Sequence, residues 1–168
     1  MSTISVKLHF AAGHRILGLD GSGAKCRNIH GHTFHVTWTF IQGAGETTLE
    51  FGDLKTMLRG VLVPFDHTFI LHCYDDFEHY LKANDLKYYL TDTPPTTECI
   101  AQEIGRLTIQ RMTKGRVDAL GAERPAPFPD ARLYCVEVEE GPENSAMWQP
   151  EMVVPEHLQH IILTEAST

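Results

Sequence analysis

This chain has no apolar run long enough to span a bilayer, and its N-terminus lacks the charged-then-apolar pattern of a secretory signal. A soluble, cytoplasmic protein with no membrane partner is expected. It also lacks a disulfide framework. Its four cysteines, Cys26, Cys73, Cys99 and Cys135, are scattered without paired spacing, which reads as free thiols in a reducing compartment. There is no basic excess: the net charge of −8 argues against a nucleic-acid partner. Internal repeats and low-complexity tracts are missing too. At 168 residues, what remains is one globular domain with a sizeable core.

The charge is unevenly spread. Residues 1–40 hold Lys7, Arg15, Lys25 and Arg27 against Asp20 alone, a balance of +3, so the remainder carries −11. An anionic small molecule would be steered to this cationic part. Cys99 and Cys135 have apolar neighbours and read as core, and Cys73 is ambiguous. Cys26 lies in a polar loop between Lys25 and Arg27, and flanking cations favour its thiolate, the reactive form.

The same region carries a histidine pattern. In a strand, residues two apart share a face. From Ile4 to His14 the even positions are Ile4, Val6, Leu8, Phe10, Ala12 and His14. From His30 onward they are His30, His32, Phe34, Val36, Trp38 and Phe40. Each run is an apolar face with histidine at one tip. Antiparallel pairing across the loop 15–29 brings the tips together, so His14, His30 and His32 converge. Three neutral imidazoles suit Zn²⁺ with a fourth position open, the catalytic arrangement. Other divalent metals could also occupy such a site. His9 and His35 fall on the opposite parity and read as surface residues.

Further along, Asp53 is placed to cap a helix with Leu54, Met57, Leu58, Val61 and Leu62 on one face, ended by Pro64. Residues 65–72 are apolar around Asp66-His67, and 74–90 read as an acidic, aromatic insert with room for a short helix. A second helix starts at Thr96-Thr97-Glu98 and runs through Ile100, Ala101, Ile104 and Leu107 to about Met112. The Gly/Pro-rich stretch 114–130 reads as a lid or an assembly contact. A third strand, Arg132–Glu140, puts Tyr134, Val136, Val138 and Glu140 on one face, and a tip carboxylate needs a partner. A short strand follows near Ala146–Trp148, and the tail 149–168 is half apolar and could dock on the domain. The order predicts an α+β fold: a four-stranded antiparallel sheet with two helices on one face.

Five elements in order carry a family resemblance. They are Phe10-Ala11-Ala12-Gly13-His14, the run from Cys26 to His32, Glu50-Phe51-Gly52-Asp53-Leu54-Lys55, Asp66-His67 and Pro95-Thr96-Thr97-Glu98. Together they resemble the 6-pyruvoyl-tetrahydropterin synthase / 6-carboxy-tetrahydropterin synthase family. Departures include Glu50 where that family has Asp and Phe65 where it has Leu. The resemblance implies a tunnelling-fold domain over 1–148, with inserts at about 73–93 and 114–130, and a C-terminal extension over 149–168. It implies trimers whose sheets close a β-barrel, stacked into a homohexamer. It implies zinc on His14, His30 and His32, Cys26 as proton acceptor, and Asp66 and His67 as a proton relay. Glu140 would anchor a pterin, with Thr96, Thr97 and Glu98 lining its pocket. The implied substrate is 7,8-dihydroneopterin triphosphate.

Three residues between Cys26 and His30 fit the carboxy-forming branch, which releases acetaldehyde and triphosphate on the way to queuosine and other 7-deazapurines. The alternatives are a pyruvoyl synthase, an aldolase-like side-chain cleavage, or a pterin-binding module without catalysis. An unrelated zinc hydratase is a further option, although its third ligand would usually lie downstream of the His-x-His pair rather than upstream, as His14 does.

Overall fold

The computed structural model describes residues 2–42, 49–114, 116–117, 123–124, 128 and 131–151. The first two strands, β1 (Ser2–His14) and β2 (His30–Gln42), form the expected antiparallel pair, in register from Ser2 opposite Gln42 to His14 opposite His30. Alternation sets which side is dry. Val6, Phe10, Ala12, Phe34, Val36, Trp38 and Phe40 are buried. Ser5, Lys7, His9, Thr33 and His35 face solvent from the other side. The loop between the strands contains a 3-10 turn, Gly21–Arg27.

Helix α1 (Phe51–Leu62) buries Leu54, Met57, Leu58, Val61 and Leu62, the stripe its spacing dictates. Its cap is Glu50 rather than Asp53. The Glu50 carboxylate reaches back to accept the Asp53 backbone N–H at 2.9 Å, leaving Asp53 inside the first turn. The remaining elements are β3 (Thr68–His72), α2 (Phe77–Ala83), β4 (Tyr88–Thr91), α3 (Thr97–Thr113), the two-residue strands β5 (Arg116–Val117) and β6 (Glu123–Arg124), β7 (Ala131–Glu139) and β8 (Ser145–Trp148).

The main sheet has six strands, in the order β4-β3-β1-β2-β7-β8. It is mixed, not the four-stranded antiparallel sheet expected. β3 runs parallel to β1, and β4 runs parallel to β3. The miss has a physical cause. Parallel neighbours need a crossover, and the segment read as an insert supplies one: α2 returns the chain so that β4 docks beside β3. Tyr88-Tyr89-Leu90-Thr91 has no polar alternation to announce a strand. Most of the 114–130 stretch and the tail beyond 151 lie outside the described residues.

Strand β7 brings a second correction. Cys135 pairs with Thr39 and Leu133 with Phe40, so Tyr134 has no partner in the ladder. This bulge shifts parity. Leu133, opposite Phe40, joins Val136 and Val138 in the core, Cys135, opposite Thr39, is buried outside that cluster, and Tyr134 is 43% exposed instead of facing the core. Beyond the bulge the expected face is kept and points to Glu140.

Helix α3 packs on β7 and β8 and touches α1. Two contacts fix its position. The buried Trp38 indole N–H donates to the Thr108 hydroxyl at 2.9 Å, and that hydroxyl donates to the Ile104 carbonyl at 2.7 Å. The Trp148 ring lies flush on Gly105, where a Cβ would stand 2.2 Å from its ring carbons. No helix among the described residues is long and apolar enough to cross a membrane. We expect Gly105→Ala to push β8 off α3 and to lower stability by about 1–3 kcal/mol, the usual cost of overpacking. Urea denaturation measures this, and an unchanged midpoint would show that the contact does not matter.

Candidate metal centre

Strand register builds this site. His14 faces His30 directly, and His32 faces Ala12, two residues before His14. Ring centroids are 4.5 Å apart for His14 and His30, 5.3 Å for His14 and His32, and 5.1 Å for His30 and His32. Glu140, the residue after β7, brings a carboxylate from the neighbouring strand. One donor atom from each of His14, His30, His32 and Glu140 lies within 4.8 Å of all the others.

Two imidazoles are oriented from behind. His14 Nδ1–H donates to the Pro95 carbonyl at 2.8 Å, and His30 Nδ1–H donates to the Asn28 carbonyl at 2.8 Å. A carbonyl can only accept, so the proton sits on Nδ1 and the Nε2 lone pair points inward. His14 is completely buried. Glu140 Oε1 lies 3.1 Å from His14 Nε2 and 2.8 Å from His32 Nε2. Neither contact is aligned as a hydrogen bond, so both buried Nε2 atoms lack one.

A lone pair beside a carboxylate oxygen is repulsive unless a cation or a ring proton lies between them. Burial, the largest effect, pushes the His32 pKa down; Glu140 opposes it, and His14 and His30 add to it. That favours a neutral imidazole at His32. Three imidazole nitrogens and one carboxylate form a donor set suited to a divalent metal. A ring proton on His14 Nε2 would hold the Glu140 carboxyl down to about 2 against burial, and the Thr97 hydroxyl that donates to Oε2 adds to this.

The other expected residues separate into groups. Cys26 is half-buried on the 3-10 turn, and its carbonyl accepts the Ile16 N–H at 2.8 Å, which ties the loop to the end of β1. Its sulfur is not among the four clustered donors. Asp66 and His67 lie along the edge of β1. Asp66 Oδ1 accepts the Ala11 N–H at 3.1 Å, and the His67 N–H donates to the Ala11 carbonyl at 2.7 Å. His67 Nδ1 sits 2.9 Å from Asp66 Oδ2, with His67 in the left-handed region at φ 53°. The Ala11 hydrogen bond, ahead of the His67 contact and against a small burial effect, holds the Asp66 carboxyl below its usual range. His67 and His32 line one open cleft of about 520 Å³.

Of the three pocket residues, only Thr97 joins the cluster. Thr96 caps α3 by accepting the Cys99 N–H, and Glu98 is exposed on a separate cleft of about 380 Å³ that also includes Cys99 and Trp148. Cys99 is therefore half-buried, not core. It sits in the first turn of α3, where its sulfur accepts the Thr93 hydroxyl proton at 3.0 Å.

The sequence reading missed the carbonyls of Pro95 and Asn28, because backbone acceptors have no residue signature. It also missed the partner of Arg15. Asp75, 2% exposed, takes Arg15 in a two-pronged pair and accepts the Phe77 N–H at 2.9 Å. Arg15 is thus committed to holding α2 beside His14. Lys87 is committed too, donating to the carbonyls of Val63 and Asp66. Lys25 and Arg27, flanking Cys26, are exposed cations, with Arg27 3.7 Å from the Asp20 carboxylate and donating to the Ala24 carbonyl at 3.4 Å.

The fold and the site together define an α+β protein with a candidate three-histidine metal centre where two strands end. Residues 3–151 match the 6-pyruvoyl tetrahydropterin synthase family, and the chain belongs to it. It is 35% identical over 77 residues to the 6-carboxy-5,6,7,8-tetrahydropterin synthase of Haemophilus influenzae, covering 42% of this chain and 52% of that protein. The match therefore spans about half the length of that relative. To the enzyme of the same name from Aquifex aeolicus it is 29% identical over 119 residues, covering 59% of this chain and 74% of that one.

Among solved structures, an uncharacterized protein of Wolinella succinogenes aligns with a TM-score of 0.65 at 20% identity, over 89% of this chain and 98% of that one. The 6-pyruvoyl tetrahydropterin synthase of Caenorhabditis elegans aligns at 0.57 and 19% identity, over 89% and 95%. At these identities the likeness establishes the fold.

The buried ion pair beside His14 gives a pH test. Arg15, then the Phe77 N–H, hold the Asp75 carboxyl below its usual range, against burial. Its contribution is therefore present above the unfolded carboxylate value and is lost as pH falls through the lower folded one. We expect Asp75→Asn to cost about 2–3 kcal/mol at neutral pH, somewhat under the usual figure for breaking a buried pair because Arg15 is partly solvated. The gap to wild type should shrink below roughly pH 4. Unfolding curves at pH 7 and pH 3 check this, and an equal gap at both would overturn it.

Proposed function

We propose that this protein is a zinc-dependent lyase that converts 7,8-dihydroneopterin triphosphate and one water to 6-carboxy-tetrahydropterin, releasing acetaldehyde and triphosphate, an early step toward queuosine and related 7-deazapurines. The observation that carries this reading is the convergence of the inward-facing Nε2 atoms of His14, His30 and His32 on one point, beside a carboxylate. Both curated relatives bear the carboxy-forming name, which supports that outcome over the pyruvoyl one.

A divalent ion on the three histidines would supply a Lewis acid that acidifies the substrate's side-chain hydroxyls. The protein's own groups do the rest. Cys26, flanked by Lys25 and Arg27, takes a proton from the substrate side chain as a thiolate. Asp66, kept ionised by the Ala11 N–H, orients His67 as the second proton carrier. Glu140, with Thr97, takes the guanidine-like edge of the pterin; Thr96 and Glu98 are assigned to the pterin pocket by the family resemblance alone. The cleft shared by His32 and His67 supports a relay near the histidines, whether the productive pair comes from the same subunit or a neighbour.

We further propose a homo-oligomer built on trimers and stacked into a hexamer. The solvent-facing side of β1 and β2, with Ser5, Lys7, His9, Thr33 and His35, would line the barrel.

Incubation of the purified, metal-loaded protein with dihydroneopterin triphosphate should yield acetaldehyde along with triphosphate. Triphosphate without acetaldehyde would favour a pyruvoyl synthase, and binding without either product would favour a non-catalytic pterin module. We also expect Cys26→Ala to retain bound metal, measured by elemental analysis, while losing at least about 100-fold in turnover, the lower range for a general base. Loss of metal in that variant would make Cys26 a ligand instead.

A further inference from the structure

The alternation that aims three histidines at the strand tips sets two others side by side on the opposite face. His9 on β1 and His35 on β2 are direct cross-strand partners, and both are exposed. Their ring centroids are 5.8 Å apart, with the planes tilted by 45°. The other histidines of the described residues each have a ring nitrogen within reach of a backbone carbonyl or a carboxylate, whereas His9 and His35 have neither contact.

The row continues onto the next strand. His35 is also the partner of Glu139 on β7, in a stretch of regular pairing that lasts until the bulge between Thr39 and Phe40. Val136 and Val138 are buried, so Glu137 and Glu139 point to the other side of the sheet, with His9 and His35. Cross-strand partners have Cβ atoms about 4.5–5.5 Å apart. Two imidazoles and a carboxylate thus stand in line on three neighbouring strands. Glu137, two residues before Glu139, adds negative charge to this face, and Lys7, two residues before His9, opposes it.

This row has the chemistry of a transition-metal site, since imidazole and carboxylate are both ligands of zinc and its neighbours. Two imidazoles holding one ion at about 2.0–2.1 Å have ring centres roughly 4.5–6 Å apart, so the histidine pair needs little adjustment. Glu139 must turn toward it. Among the described residues only His14, His30, His32 and Glu140 hold their donor atoms within 4.8 Å of one another as they stand. Fixing a glutamate side chain costs rotamer freedom, which makes this row a weaker site than the preformed cluster.

We propose that His9, His35 and Glu139 form a second divalent-metal site, which takes Zn²⁺ or a neighbouring transition cation, with water in the remaining positions. The site does not depend on the pterin reading. An ion held there ties together β1, β2 and β7, the strands that also carry the cluster at their ends. Because only the folded sheet assembles the row, loading it stabilises the fold by mass action.

The test titrates the full chain, dialysed against a chelator, with Zn²⁺ by calorimetry. Wild type should show a tight step and a weaker one. His9→Gln and His35→Gln, both at exposed positions, should keep the tight step, which also reports that they are folded. They should lose the weaker step or weaken it at least about tenfold, the lower figure for losing even a group that only supports a ligand. Glu139→Gln should weaken the same step, and an unchanged affinity there would overturn the carboxylate as a donor. His157 and His160 lie outside the described residues, so the variants decide rather than the number of ions bound. A wild-type titration with no step that His35→Gln removes or weakens would overturn the proposal. A single wild-type step that disappears in His35→Gln would uphold this site and overturn the metal centre at the strand tips.

Discussion

Everything at the centre follows from one register. The β1–β2 pairing sets His14 opposite His30 and Ala12 opposite His32, so three imidazoles lie on one face at one end of the pair. A slip of a single residue would turn one strand's histidines to the opposite face and expose its apolar residues. The same alternation that buries Val6, Phe10, Phe34, Val36, Trp38 and Phe40 therefore aims the donors. The burial driving force on that face, on the order of 25 cal/mol per Å² of apolar surface, also keeps the site in shape.

Around that register, groups that could have served a ligand have been given structural tasks. Arg15 grips Asp75 and thereby seats α2 beside the end of β1, while Lys87 ties down the carbonyls of Val63 and Asp66. The carbonyls of Pro95 and Asn28 set the tautomers of two histidines. Because Pro95 immediately precedes the capped start of α3, the helix that packs on β7 and β8 also governs how His14 is presented. The site is thus assembled from β1, β2, the end of β7 and the start of α3, although only the first two supply imidazoles.

The parts legible in the sequence are those written by side-chain periodicity. Strict alternation gave the strand pair, the converging histidines and the tip position of Glu140; spacing of three and four gave α1 and α3. The parts that stayed hidden depend on what periodicity cannot express. β3 and β4 are too short and too mixed for a pattern to stand out, so the parallel half of the sheet was invisible. One unpaired residue at Tyr134 reversed the parity of Leu133 and the residues before it. Glu50 could displace Asp53 as cap because a longer carboxylate can also bend back to the helix start. The grouping of Thr97 with Glu140, apart from Thr96 and Glu98, depends on rotation about the first turn of α3, which a linear motif does not encode.

The positions of the donors along the chain have a consequence for biogenesis. During synthesis β1 and β2 leave the ribosome before either long helix, carrying His14, His30 and His32, whereas Glu140 emerges only after α3 and β7. A nascent hairpin could therefore capture an ion loosely while most of the protein is unmade, with the last donor arriving when the sheet is completed. In a cell short of the proper metal, the early hairpin is the stage at which a competing cation would be trapped and carried into the finished fold.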